Sequence, residues 1–244
     1  MLGVGGPASQ QWFTQSAVTH DGIDAAQSGA LADGRSSSFD LELVGPGQLS
    51  FWAKVSAAED HYLILYRDFG FEFFESGEVD WTQHTIQIPA GRHTYRFEYT
   101  KQYGFGSTPE GSDAAWIDEL SVTGYAAWVR EQGVPPELAN PFADPDGDSL
   151  NNLLEYALLG GPLFYDLSPF PAVTRDAEGR LVMSVGKNPD AEGLTLKVEV
   201  TGDLQTWITD GTSILVNDSD FLQVRDNDTS GAPRFIRLSV SFGG

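Results

Sequence analysis

The sequence contains no cysteine, and Lys and Arg together number only 14 among 244 residues. The missing thiols exclude disulfide bonds, thiolate catalysis and cysteine-ligated zinc or iron–sulfur centres. Asp and Glu number 35, which gives a formal net charge of −21. So acidic a chain repels phosphate backbones and anionic lipids, and we therefore expect no nucleic-acid partner. No apolar run reaches the roughly 18 residues of a membrane-spanning helix, so we expect no membrane span.

The first residues also lack the pattern of a targeting signal. Segment 1–7 has neither a basic stretch nor a long apolar stretch, so it does not resemble a signal peptide. We expect it to be either an engineered start or a cut within a larger protein. The first residues therefore do not indicate the cellular compartment of the protein.

Apolar and aromatic residues are abundant enough for a folded core, at 41% and 12% of the chain. Short stretches of alternating apolar and polar residues recur about every 8–12 positions, which predicts an antiparallel β-sandwich. In one such stretch Tyr95, Phe97 and Tyr99 share a face, with Arg96 and Glu98 on the opposite face.

Turn residues divide these stretches. The Gly-Pro-Gly at 45–47 is expected to separate strand 38–43 from strand 49–55, and Pro-Ala-Gly at 89–91 to separate two further strands. Helical patterns cover about 125–132 and 150–159, and strands return after them. We therefore predict a mainly β chain in three parts. These parts are a β-sandwich at 1–125, a short helical linker at 126–162 and a smaller β-sandwich at 163–244.

The linker contains the most specific motif, because segment 144–155 has the spacing of a twelve-residue, EF-hand-like calcium loop. The predicted ligands are Asp144, Asp146, Asp148, the Leu150 carbonyl, Asn152 and Glu155. Calcium takes six to eight oxygen ligands, and a Glu at position 12 can supply two. Three carboxylates within five residues repel each other unless a cation lies among them. The alternative is a solvated acidic turn that caps the following helix.

One position departs from the usual loop. Ser149 occupies position 6, where calcium loops of this type have glycine. The chain turns sharply there and favours a positive φ, which costs energy for any residue with a Cβ. We therefore expect Ser149 to adopt a positive φ and to weaken the site.

The motifs also resemble known families. The calcium loop and the helix after it resemble thrombospondin type 3 and dockerin-type calcium repeats. Segments 20–29, 45–51 and 113–120 resemble a MAM-type or cleaved-adhesin-type jelly roll, and 198–207 is similar to fibronectin-III-like domains. In large secreted proteins of environmental bacteria, such a repeat often precedes a C-terminal β-sandwich. The resemblance implies a jelly roll at the N-terminal side and a non-catalytic, secreted or cell-surface module.

A second calcium position is expected near Asp118. This residue lies between Trp116 and Leu120 at period two, so it shares the face on which they lie, and a buried carboxylate needs a cation or several donors. Jelly rolls resembling this one often carry a structural calcium near their first and last strands. Asp118 is therefore a candidate ligand, together with Asp21 or Asp24. The alternative is a rim aspartate bonded to a turn.

Aromatic residues in the Gly-rich loop 101–113 suggest glycan binding. Tyr103 and Phe105, and also Trp81, are candidates because exposed flat rings can stack on the C–H faces of sugars. The alternative is that Tyr103 and Phe105 fold back over the edge of the sheet.

Three functions follow from these features. The first is a calcium-stabilised structural or adhesive module, whose partner is a cell-surface or matrix polysaccharide or protein, or a second copy of the chain. The second is a carbohydrate-binding module that tethers an enzyme to polysaccharide. The third is a glycoside hydrolase, which needs a pair of carboxylates. Strand alternation disfavours it, because it sends Glu72 and Glu75 to opposite faces of one strand.

Overall fold

The computed structural model of the chain describes residues 3–5, 11–102 and 111–243. It is mainly β, with antiparallel sheets and two helices of seven residues each in the described part. The chain forms two compact units, Met1–Ala126 and Ala127–Gly244. The prediction of a mainly β, sandwich-type fold is confirmed. None of the helices in the described part is long and apolar enough to cross a membrane.

The elements follow one another in chain order. The first unit contains β1 (Gly3–Gly5), β2 (Phe13–Gln15), β3 (Ala25–Gln27), β4 (Ser36–Ser56), β5 (His61–Arg67), β6 (Gly70–Ser76), β7 (Glu78–Lys101) and β8 (Ala114–Thr123). Then come α1 (Tyr125–Glu131), α2 (Asn152–Leu158), β9 (Ala172–Arg175), β10 (Leu181–Gly186), β11 (Leu194–Thr201), β12 (Thr212–Asn217), β13 (Phe221–Asp226) and β14 (Phe235–Phe242).

The first unit is built on two long strands that pair along their whole length. β4 and β7 form a continuous antiparallel ladder, and the other strands each join only one half of it. β5 pairs with 95–101 of β7, and β6 follows β5. β8 pairs with 48–56 of β4, and β3 and β2 follow β8. We call the half with β5 and β6 the β5 layer and the half with β8, β3 and β2 the β8 layer.

The ladder bends where the two glycines of its middle are opposite each other. Gly45 and Gly91 are register partners, and Gly91 has a φ of +108°, which favours glycine. A Cβ on Gly45 would collide with the backbone oxygen of Pro89. The expected separation of the strands at 45–47 and 89–91 is therefore wrong. These residues bend two continuous strands, because the pairing register resumes on both sides of them.

The bend brings the two layers face to face around one core. Phe51 of the β8 layer meets Phe97 of the β5 layer edge to face, with ring centroids 4.9 Å apart. Phe97, Tyr95 and Tyr99 are fully buried in this core, as their alternation predicts. The intervening Arg96 therefore lies on the outer face of the β5 layer.

The second unit consists of two smaller sheets, and α2 packs against them. One sheet has the order β12-β13-β10-β9, and the other pairs β11 with β14. Val185 and Val224 from the first sheet, Val198 from the second, and Ala157 and Leu158 from α2 belong to one buried cluster. The helix that follows the acidic loop is thus part of the core of this unit.

We expect the substitution Gly45→Ala to destabilise the first unit, because the added methyl meets backbone atoms that cannot rotate away. Overpacking of this kind costs about 1–3 kcal/mol. Thermal unfolding should show a lower melting temperature. Gly186→Ala is the matched control, since a Cβ there meets open space. Equal melting temperatures for Gly45→Ala and the wild type would show that the bend tolerates a side chain.

Candidate metal centre

The acidic loop of the second unit ends on the first turn of α2. Asn151 caps this helix, and its side chain accepts the N–H of Leu154 at 3.0 Å. The N–H of Asn152 donates to the Ala143 carbonyl at 2.9 Å and so draws the two ends of the loop together. Position 12 of the loop, Glu155, is thereby brought to the side of the helix near the first loop residues.

The three aspartates of the loop converge. Oxygen atoms of Asp144, Asp146 and Asp148 lie within 4.8 Å of one another, and no other such group of three metal-compatible residues occurs in the described part of the chain. Each carboxylate accepts at least one backbone N–H of the loop. The donors are Gly147 to Asp144, Asp148 to Asp146, and Leu150 to Asp148, at 2.9, 3.2 and 2.7 Å. These bonds hold like charges close together, an arrangement that a cation would stabilise.

The sixth position takes the conformation that the loop spacing predicts. Ser149 has a φ of +77°, so the expectation of a positive φ is confirmed. Its N–H donates to the second carboxylate oxygen of Asp144 at 3.0 Å. A residue with a Cβ pays about 1–2 kcal/mol for this conformation. The loop therefore adopts the predicted turn, but the strained backbone at Ser149 lowers its stability.

Glu155 is the most unusual group of the site. It is 1% exposed, and neither of its carboxylate oxygens has a hydrogen-bond partner. Burial, with the added repulsion of Asp146, Asp148 and Asp144, raises the pKa of Glu155 to about 8. A buried carboxylate without donors is costly, and a bound cation removes that cost.

Two further oxygens of the loop are buried without a partner. Asn152 is fully buried, and its Nδ2 donates to the carbonyls of Leu138 and Asn140, which leaves Oδ1 as an acceptor with no donor. Oδ2 of Asp146 is also unpartnered, and burial raises the pKa of this carboxyl. Leu150 is buried, and its N–H is used by Asp148, so only its carbonyl is offered as the predicted ligand. The unpaired acceptors are all oxygen, the donor that Ca²⁺ prefers.

Two residues support the site in ways that sequence reasoning missed. A Cβ on Gly160 would lie 2.9 Å from Cβ and Cγ of Glu155, so this glycine lets the chain pack directly on that side chain. The N–H of Asp166 donates to Oδ2 of Asp148 at 3.1 Å. Gly160 carries a signal only as a helix stop, and the bond from Asp166 is a backbone contact that leaves no signal in the sequence.

The second predicted calcium position has a different environment. Asp118 is buried as expected, although Leu120, which was expected on the same buried face, is 37% exposed. Asp118 accepts the N–H groups of His20 and Glu119 at 2.6 and 2.7 Å. Asp21 accepts the N–H of Ile23 in its own turn at 2.7 Å. The structure does not gather Asp118, Asp21 and Asp24 into a three-residue cluster within the described part. A calcium ion here stays a prediction.

Of the three predicted glycan-binding residues, the structure describes only Trp81. Tyr103 and Phe105 lie outside the described residues. Trp81 lies edge to face with His20, at 5.9 Å between centroids, and His20 stacks on Trp52 at 3.7 Å. Trp81 thus belongs to an aromatic cluster of the first unit, and its glycan role stays a prediction.

Each of the two carboxylates considered for hydrolysis pairs with a basic side chain. Glu72 pairs with Arg67 at 2.9 Å, and Glu75 pairs with His84 at 2.8 Å. The structure therefore gives these two residues separate partners.

No protein-family model matches the chain, and no curated protein matches it. Several solved structures resemble about half of it. The secreted serine protease VesC from Vibrio cholerae is 23% identical with a TM-score of 0.40, over 50% of this chain and 24% of that one. The K3 cleaved adhesin domain of Lys-gingipain from Porphyromonas gingivalis is 18% identical with a TM-score of 0.31, over 48% and 93%.

A third similar structure is TmCBM61, determined in complex with β-1,4-galactotriose. It is 17% identical with a TM-score of 0.34, over 50% of this chain and 86% of that one. The present chain thus spans about a quarter of VesC and most of the two smaller domains. At these values the likenesses assign neither a family nor an activity.

Proposed function

We propose that the chain is a non-catalytic, calcium-stabilised structural or adhesive module of a secreted or cell-surface protein. In this proposal a jelly-roll sandwich (1–125) and a smaller, fibronectin-III-like sandwich (163–244) flank the calcium-loop segment 126–162. The observation that carries the proposal is the buried Glu155 carboxylate, which has no partner and faces the charge of three aspartates. A divalent cation would satisfy all four groups at once.

Calcium fits this set better than a transition metal. Nitrogen and sulfur ligands are absent from the group, and its members are carboxylate and amide oxygens. Hard oxygen donors select Mg²⁺ or Ca²⁺, and the longer, more variable Ca²⁺–oxygen distances suit a twelve-residue loop with a two-oxygen Glu at its end. The bound ion would supply charge balance, and the loop residues would position it.

The ion would act on the core of the second unit through α2. Glu155 lies on this helix, and Ala157 and Leu158, two and three residues further on, are buried against the sheets. An ion that links the aspartates to Glu155 would therefore fix the helix that closes the sandwich. This gives calcium a structural role, since binding is limited to the folded loop.

A carbohydrate-binding module is the second candidate. It is favoured by the aromatic side chains that the first unit exposes, among which Phe69, Phe71 and Phe74 are each more than half exposed. Polysaccharide of a cell surface or matrix would be the partner in either case.

Adding calcium to the chelator-treated protein should raise the melting temperature of the second unit by several degrees. Ligand binding stabilises the folded state by about 3–4 kcal/mol at 100 to 1,000 times the dissociation constant. Differential scanning calorimetry measures the shift, and hydrogen exchange assigns it to the second unit. Identical melting curves in calcium and in chelator would contradict the proposal, and an equal shift with Mg²⁺ would contradict calcium preference.

The variant Glu155→Gln should separate the cost of the buried charge from the benefit of the ion. In chelator we expect it to melt above the wild type. With a pKa of about 8, Glu155 must take up a proton or bury a charge when the chain folds, and the amide does neither. In calcium it should lose most of the calcium-induced rise, because a two-oxygen ligand is gone. Melting curves of the variant and the wild type, in chelator and in calcium, test the expected gain and the expected loss of stability.

Glu137→Gln is the matched control for this experiment, since Glu137 is an exposed glutamate of the same unit. It should behave as the wild type in both conditions. If Glu155→Gln also behaves as the wild type in both conditions, Glu155 is not a ligand.

A further inference from the structure

A groove of about 430 Å³ lies on the outer face of the β5 layer. It crosses three strands, because Arg96 of β7 is the register partner of both Asp40 of β4 and Tyr66 of β5. Thr94 and Glu98, two residues before and after Arg96, lie on the same face and also line it. Ligand pockets of small molecules have volumes in this range, with apolar walls and a few polar groups.

One wall of the groove is an aromatic ring that the protein leaves uncovered. Phe69 lies in the turn between β5 and β6 and is 95% exposed. Tyr66 lines the groove beside it, and Phe71, the register partner of Tyr66, is 60% exposed. Rings of this kind offer flat apolar area that is fixed by few rotatable bonds. They suit a ligand with a flat apolar face, such as the C–H face of a pyranose.

The turn that carries this ring is held in place without a ligand. Asp68 and Phe69 both have positive φ, +49° and +69°, which is uncommon for residues other than glycine. Asp68 offsets this cost by accepting the N–H of Thr94 at 2.8 Å and by pairing with Nδ1 of His93 at 2.6 Å. The bond with His93 is the main cause that lowers the pKa of Asp68. Because the turn already fixes the Phe69 ring before binding, less conformational entropy is lost when a ligand binds.

The floor of the groove offers donors and acceptors side by side. Arg96 donates to both oxygens of Asp40, at 2.7 and 2.8 Å, which fixes the guanidinium and leaves three of its five N–H groups for a ligand. The Glu98 carboxylate accepts no hydrogen bond from the described side chains or backbone, and burial raises its pKa. Adjacent donors and acceptors match the paired hydroxyls of a sugar ring.

The charge of the groove excludes acidic ligands. The lining of the groove has three carboxylates, Asp40, Asp68 and Glu98, and one cation, Arg96, which Asp40 already neutralises. The whole chain adds a net charge of −21. Uronates, sulfates and phosphates would be repelled.

We propose that this groove binds a neutral pyranose unit of an uncharged polysaccharide, with Phe69 stacked on the sugar ring and Arg96 and Glu98 bonded to its hydroxyls. This inference rests on the carbohydrate-binding candidate above, for which it names the site and the ligand class, and it is independent of the calcium proposal. All groove residues belong to the first unit, whereas the calcium residues belong to the second. Binding should therefore persist in chelator, so either proposal can fail while the other stands.

Affinity electrophoresis of the full chain would test the groove. Galactan, galactomannan and mixed-linkage β-glucan are the neutral probes, polygalacturonate is the anionic probe and chitosan the cationic one. We expect retardation by at least one neutral probe and none by polygalacturonate, in calcium and in chelator alike. The proposal is overturned if no neutral probe retards the chain, if only chitosan does, or if polygalacturonate retards it as strongly as a neutral probe.

Variants then test whether the sugar binds in the groove. Isothermal titration calorimetry measures their affinity for oligosaccharides of the neutral polysaccharide that retards the wild type. Phe69→Ala should weaken binding at least tenfold without lowering the melting temperature, because the ring contacts solvent. Glu98→Gln should weaken it several-fold. Phe13→Ala is the matched control, an exposed phenylalanine of the same unit that does not line the groove, and it should bind as the wild type. Unchanged binding by Phe69→Ala would overturn the site.

Discussion

The first unit depends on the pairing of β4 with β7 along both of its layers. Because this ladder passes through both layers, its bend at Gly45 and Gly91 places the inward side chains of one half against those of the other. The pleat of the strands leaves alternate residues of each half facing outward. The core that contains Phe51 and Phe97 and the groove around Arg96 are therefore two faces of one ladder.

The second unit depends on an electrostatic constraint. Asp144, Asp146 and Asp148 are bound into a tight loop by backbone donors, while Glu155 comes to them on a helix that must be buried. Hydrophobic burial of α2 thus forces a carboxylate into a place where water cannot solvate it. In the absence of a cation, packing and charge oppose each other here, and with one they act together.

Much of this arrangement could be predicted from local patterns. Alternation identified the buried faces, as for Tyr95 and Tyr99, and the acidic spacing indicated the loop and the positive φ of Ser149. Helix α2 begins and ends within two residues of its predicted limits. These features are encoded by neighbours along the chain.

Features that depend on distant neighbours could not be predicted. The motif at 45–47 has the composition of a chain reversal, and only its partner strand shows that it is a bend. The groove joins Asp40 to Arg96, which are 56 residues apart, so no spacing rule reveals it. Exposure of Phe69 is equally invisible in the sequence, because a phenylalanine beside glycine fits a buried strand as well as a turn. The unsatisfied oxygens of Glu155 likewise follow from packing, not from the loop motif.

The buried, partnerless Glu155 also makes the stability of the second unit depend on the calcium concentration around the protein. An ion that binds only the folded loop favours the folded unit only where it is abundant enough to occupy the site. Where calcium is scarce, α2 would be the element that loosens first, because the carboxylate without a partner lies on this helix.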